Sequence, residues 1–219
     1  IDGTSWGILV VRDYVTKENI YWSYCIGRER DTDYLKALTK LQQLGYTIAS
    51  VTCDGLPGLS RVFEGIPFQY CQIHMERLSI MYLTRKPKEA PLQELLLIVY
   101  SLKESTKDQF VKQLHNYITK WNSYINQRYE PSKGHPRGQL VHRKVHVVIR
   151  TLLKHLDELF IYETNKNIPK DTNSLEGHFS HIKAILKIHR GMSKQSKRKA
   201  LNAIMLASTI APENMEFLK

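Results

Sequence analysis

The feature that most constrains the fold is a change of periodicity near His74. Before it the chain reads as short β-rich runs around one helix; after it every apolar pattern is helical. Residues 7–12 and 20–26 are rich in β-branched and aromatic side chains, and the polar run Thr16-Lys17-Glu18-Asn19 between them predicts a hairpin. Leu35, Leu38 and Leu41 place a helix over 32–44, with Asp31 or Thr32 as its cap and Gly45 as its stop. Strands at 47–53 and 68–71 flank a short helix at 59–63, and a strand–helix–strand order implies a parallel pair with a right-handed crossover. The expected class is α/β with a mixed sheet. Helices are then expected at 91–102, 106–129, 140–161, 173–189 and 194–208, broken by the loops Glu130-Pro131-Ser132-Lys133-Gly134-His135-Pro136 and 164–170.

Composition narrows the function. Of 219 residues, 32 are Lys or Arg and 21 are Asp or Glu, a formal charge of +11 that predicts a polyanionic partner. The charge is segregated. Between 131 and 156 the charged residues are Lys133, Arg137, Arg143, Lys144, Arg150 and Lys154; between 177 and 212 there is again no acid. A solvated basic face is the bland alternative; a surface that follows phosphates is the better reading. Arg143, Lys144, Arg150, Lys183, Lys187, Arg190, Lys194, Lys197 and Arg198 are the candidate phosphate contacts, with nucleic acid as the first candidate partner. No membrane partner is expected, since the longest apolar run, 95–100, is far short of a span. Three scattered cysteines exclude a disulfide scaffold and suit a reducing cytosol. The start at Ile1, inside a strand-like run and without methionine, is expected to mark a fragment.

Three acids could carry chemistry. Asp2-Gly3 and Asp54-Gly55 stand at strand ends, and Glu176 opens a late helix within Thr172-Asn173-Ser174-Leu175-Glu176-Gly177. Carboxylates converging from two strands and a helix would offer oxygen ligands to Mg²⁺, with Mn²⁺ as a substitute, and two such ions serve phosphodiester cleavage. Each acid also has a local explanation. Asp-Gly is a common turn, Asp54 could cap the following helix, and Asn173 to Glu176 fits a capping box. Cys71-x-x-His74 could be half of a zinc site, though structural zinc takes four ligands; support of the acids or core packing are the other readings. Cys25 and Cys53 read as strand-core residues, and Trp6, Trp22 and Trp121 as core.

The ordered set Ile1-Asp2-Gly3-Thr4, Val51-Thr52-Cys53-Asp54-Gly55, Cys71-Gln72-Ile73-His74 with Arg77, and Thr172 to Gly177 followed by Lys183 and His189-Arg190-Gly191-Met192-Ser193 resembles the catalytic domain of DDE transposases. The likeness is to bacterial insertion-sequence families related to Mutator-like elements. It implies a ribonuclease-H-like fold, with a catalytic core at 1–84 and 165–219 and a helical insertion at 85–164. It further implies Asp2, Asp54 and Glu176 as the catalytic, metal-binding triad, Cys71 and His74 as a supporting motif, and Mg²⁺ as cofactor. DNA would be the partner, as element ends and target, with a homo-oligomer as the active assembly in the bacterial cytoplasm at the nucleoid. A transposase-derived binding protein that does not cut, or a related ribonuclease-H-like nuclease, are the alternative functions.

Overall fold

A computed structural model describes residues 6–135, 137–188 and 191–209. The described residues divide into two compact units: those within 1–51, 56–68 and 167–219 form one, and those within 52–55 and 69–166 form the other.

In the first unit, β1 (Trp6–Arg12) and β2 (Asn19–Ile26) form the expected antiparallel hairpin, with Val10 opposite Trp22 and a register shift after Val11. Its turn is built by Asp13, whose carboxylate accepts from the N–H groups of Val15 (2.8 Å) and Thr16 (2.7 Å). β2 starts at Asn19, so the polar linker is shorter than the sequence suggests and its last residue is fully buried. Alternation then sorts the hairpin's side chains. Leu9, Tyr21 and Cys25 pack on Ala37 and Leu41 of α1 (Asp31–Gln43). Val10 and Trp22 pack on the opposite side against α8 (Asn173–Ile188) and α9 (Lys194–Ala207), through Ile182, Leu186, Leu201 and Met205. A hairpin buried on both faces needs apolar residues of both parities, and this one has them.

The cap of α1 is Arg30, not Asp31 or Thr32: the Arg30 N–H donates to the Asp33 carboxylate (3.0 Å), which draws the helix start back one residue. Gly45 stops it as expected, at φ +84°, with Tyr46 N–H returning to the Leu41 carbonyl. β3 (Val51–Cys53) is shorter than the 47–53 run and pairs with β4 (Phe68–Tyr70) across α2 (Leu59–Val62). Val51 N–H donates to Pro67 O and Cys71 N–H to Cys53 O, an advance in one direction that makes the pair parallel. Among the described residues the strands form two separate two-stranded sheets in place of one mixed sheet.

The second unit is helical, with one core. It contains α3 (Gln72–Leu83), α4 (Ala90–Tyr100), α5 (Lys107–Lys120), α6 (Asn122–Ile125) and α7 (Arg143–Lys154). Met75, Leu95, Val99, Phe110, Leu114 and Leu152 are at its centre. On α7 the buried residues Val145, Val148, Ile149 and Leu152 follow the i, i+3, i+4, i+7 pattern of a one-sided helix. Thr106 and Gln109 close a capping box on α5. Two long helices expected from periodicity are cut short. The 106–129 run breaks at Trp121, which leaves helical dihedrals (φ −104°, ψ 20°). The 140–161 run loses both ends: Val141 N–H is taken by the Gln127 carbonyl, and a 3₁₀ segment, Glu158–Thr164, replaces the last turns. Buried Gln69 and Gln72 anchor that segment by donating to the Leu159 carbonyl at 2.9 and 3.0 Å. Among the described residues no helix is long and apolar enough to cross a membrane.

Candidate functional site

Asp54 follows the last residue of β3, and Cys71 follows the last residue of β4. Because the strands are parallel, both lie at carboxyl ends, where open α/β sheets form their crevices. The two motifs meet through the backbone, Cys71 N–H to Cys53 O at 2.9 Å. Cys71 is fully buried at the N-cap position of α3, and His74 stands in that helix's first turn, half-buried. The ladder bond sets the start of the Cys-x-x-His motif beside the end of the strand that precedes Asp54. Asp54 does not cap the next helix, since α2 starts at Leu59 behind Gly58, whose φ is +97°.

Several residues around Asp54 escaped the sequence reading. The Tyr70 phenol lies directly against Gly55, in space a Cβ there would occupy. Burial, and then the nearby Asp54 carboxylate, push the Tyr70 hydroxyl up to about 12. The Tyr70 ring also packs at 4.8 Å from the ring of His155, whose Nδ1 pairs with the Glu158 carboxylate. Tyr70 went unnoticed because alternation in a three-residue strand says only "inward"; His155 and Glu158 went unnoticed because they sit in a break of an apparently continuous helix.

Glu176 lies in the first turn of α8, half-buried. Its N–H donates to the Thr172 carbonyl at 2.9 Å, so Thr172 accepts the first intrahelical bond and holds the cap position. The capping box proposed from Asn173 to Glu176 is thus out of register. Asn173 gives its own N–H to the Asp171 carboxylate (2.9 Å). An apolar stripe lines this helix: Ile182 and Leu186 are buried, with Leu175 and Phe179 packed beside them. Two residues past Glu176, His178 Nε2 meets the amide of buried Asn19 at 3.1 Å, and the Asn19 carbonyl oxygen accepts from Arg12 at 2.9 Å. Burial, then Arg12, holds the His178 imidazole below its ordinary value.

Asp2 and Arg190 lie outside the described residues. Among the described residues no three His, Cys, Asp or Glu side chains are grouped as a metal site. The candidate DNA contacts separate by unit. Arg143, Lys144 and Arg150 are exposed on α7 of the second unit. Lys183 and Lys187 are exposed on α8 and Lys194 on α9 of the first, and Lys197 is half-buried there. Arg198 has a structural engagement as well: its guanidinium stands 5.0 Å from the Tyr24 ring centre, and its carbonyl shares the single Tyr24 hydroxyl proton with the Asn202 side chain. Asn202, one turn on, accepts from both Trp22 Nε1 (3.2 Å) and the Tyr24 hydroxyl (2.8 Å).

Comparison with known proteins supplies the family. No match was found among curated proteins, and none among solved structures. The sequence model of the Transposase IS66 family matches residues 3–198. With nearly the whole chain spanned, from just after Asp2 through Asp54 and Glu176 to Arg198, the protein belongs to the IS66 family of transposases.

Proposed function

We propose that this chain is a transposase catalytic domain that cleaves DNA at element ends and transfers the freed strand, with Asp2, Asp54 and Glu176 as its carboxylate triad. The observation that carries the reading is the place of Asp54, at the carboxyl end of a parallel strand and tied through the Cys53–Cys71 bond to the motif that begins α3. Family membership supports DNA as the substrate. The ribonuclease-H-like core at 1–84 and 165–219 and the helical insertion at 85–164 belong to the same proposal, as does the relation to Mutator-like elements, which rests on the ordered motifs alone.

Half-buried carboxylates at a strand end and in a helix's first turn are hard oxygen donors of the kind Mg²⁺ or Mn²⁺ takes, so the donor set fits the cofactor. Bound there, the ion would supply charge neutralisation and an activated water. The protein's part is to hold Asp54 and Glu176 from rigid elements, and to hold DNA through the exposed cations of α7, α8 and α9. We place the active form in the bacterial cytoplasm, at the nucleoid and as a homo-oligomer.

The test is a cleavage and strand-transfer assay with full-length protein, DNA carrying its element ends, and Mg²⁺ or Mn²⁺. Asp54→Asn abolishes product while DNA affinity stays equal or rises slightly, because one negative charge near the phosphates is gone. A variant that loses DNA binding but still cleaves overturns the assignment.

A further inference from the structure

Between α6 and α7 the chain forms a small two-stranded ribbon that the proposed chemistry does not use. Tyr129 N–H donates to the Gln139 carbonyl (2.9 Å) and Val141 N–H to the Gln127 carbonyl (3.0 Å), so the two legs run antiparallel. The tip is closed by a reciprocal pair, Ser132 N–H to His135 O at 3.1 Å and His135 N–H to Ser132 O at 2.8 Å, around Lys133-Gly134. The ribbon carries Arg128, Lys133, His135 and Arg137 against one acid, Glu130.

Tyr129 is 61% exposed, although its backbone is firmly held. The peptide on its C-terminal side rests against Gly138, which is buried, has φ +68°, and leaves no room for a Cβ beside the Tyr129 carbonyl. Arg128 reaches across the same base and donates to the Gly138 carbonyl at 3.0 Å. An exposed tyrosine is ordinary on a mobile surface. Here a fixed backbone presents the ring to solvent on a ribbon rich in basic residues, so little conformational freedom remains to be lost when something stacks on it. Cations follow phosphates, and a flat ring follows the face of a base. Bases inside a duplex are already stacked on their neighbours, so the ring finds a free face only on an unpaired nucleotide.

We propose that the 127–141 ribbon is a single-strand-binding arm in which Tyr129 stacks on an unpaired base while Arg128 and Lys133 hold the flanking phosphates. The inference rests on the reading of the chain as a DNA-processing enzyme and names the form of DNA that this element takes.

The experiment measures binding of a short oligothymidine and of a matched duplex to the full-length protein by fluorescence anisotropy over a range of salt. Tyr129→Ala lowers single-strand affinity about tenfold, the order of one lost base–aromatic stack, and leaves duplex affinity within about twofold and the melting temperature unchanged. Tyr129→Phe and Tyr129→Trp retain single-strand binding, because the ring and not the hydroxyl is used. Gly138→Ala, which displaces the Tyr129 carbonyl, reproduces the selective loss. Equal losses on both probes, as phosphate contact alone would give, or no loss on either, overturn the arm while leaving the proposed function standing. A parent protein that binds neither probe overturns both.

Discussion

The phenol of Tyr70 fills the space beside the Gly55 Cα in which any side chain on residue 55 would begin. Gly55 is not among the residues of positive φ, so it is close approach, and not turn geometry, that demands a glycine after Asp54. Gly55→Ala is therefore expected to destabilise the fold by about 1–3 kcal/mol, the range for an overpacked contact, and to displace the Asp54 carboxylate. Tyr70→Leu, which removes the ring, relieves part of that loss in the double variant. Chemical denaturation of the four proteins of this cycle measures the coupling; strictly additive losses would show that the two residues do not constrain each other.

The same tyrosine gives a pH dependence. Its folded hydroxyl ionises at about 12, above the ordinary value near 10, because burial and then Asp54 disfavour a phenolate. A raised folded value contributes stability that is fully present below about 10 and is lost as pH rises towards 12. The informative quantity is a difference between two proteins that share every other group. The stability gap between parent and Tyr70→Phe should narrow or reverse from pH 10 to 12, and an unchanging gap would disprove the coupling.

Much of the fold was legible because local signals agreed with tertiary needs. The hairpin's two apolar parities, the Gly45 stop and the stripe of Leu175, Phe179, Ile182 and Leu186 each specify what they form. The errors came where distant partners decide. Periodicity carried a helix through Trp121 and back to Leu140, but the ribbon captures the Val141 N–H and so fixes where α7 can start. Asn19 looked like a linker residue, yet contacts from Arg12, His178 and Met205 bury it completely. At the candidate site, Asp54, Cys71 and His74 were readable as motifs. Tyr70 and the His155–Glu158 pair were not, since their relation to Asp54 exists only once β4 lies beside β3 and the 3₁₀ segment turns back.

Asn202 illustrates a constraint invisible in periodicity. It lies on α9 among cations read as a DNA surface, yet its carbonyl oxygen accepts from the fully buried Trp22 indole and from the Tyr24 hydroxyl. Asn202→Leu leaves the Trp22 indole without that acceptor, while Tyr24 keeps the Arg198 carbonyl, and is expected to cost about 1–3 kcal/mol. Asn202→Asp keeps the acceptor geometry and costs less. Thermal melts of the two variants rank them, and equal or negligible shifts in both would show that the Trp22 contact contributes nothing measurable.

Glu176 offers the cleanest separation of chemistry from architecture. It is the first residue of α8 whose N–H finds a carbonyl four residues back, at Thr172, so a capping-box duty belongs to the register of Thr172 and Leu175 and not to Glu176. What its charge gives the fold is the interaction of an acid with a helix N-terminus, about 0.3–1 kcal/mol. Glu176→Gln removes that charge while keeping length, shape and hydrogen-bonding capacity. The melting temperature should fall by only a few degrees, DNA affinity should hold, and cleavage in Mg²⁺ should fall by orders of magnitude, because a neutral amide is a poor ligand for a hard cation. Cleavage at the parental rate would reduce Glu176 to a dipole contact and leave Asp54 without the partner assigned to it. A large fall in stability together with cleavage would instead trace the loss to α8 itself, and the cleavage rate of the fraction that remains folded distinguishes the two.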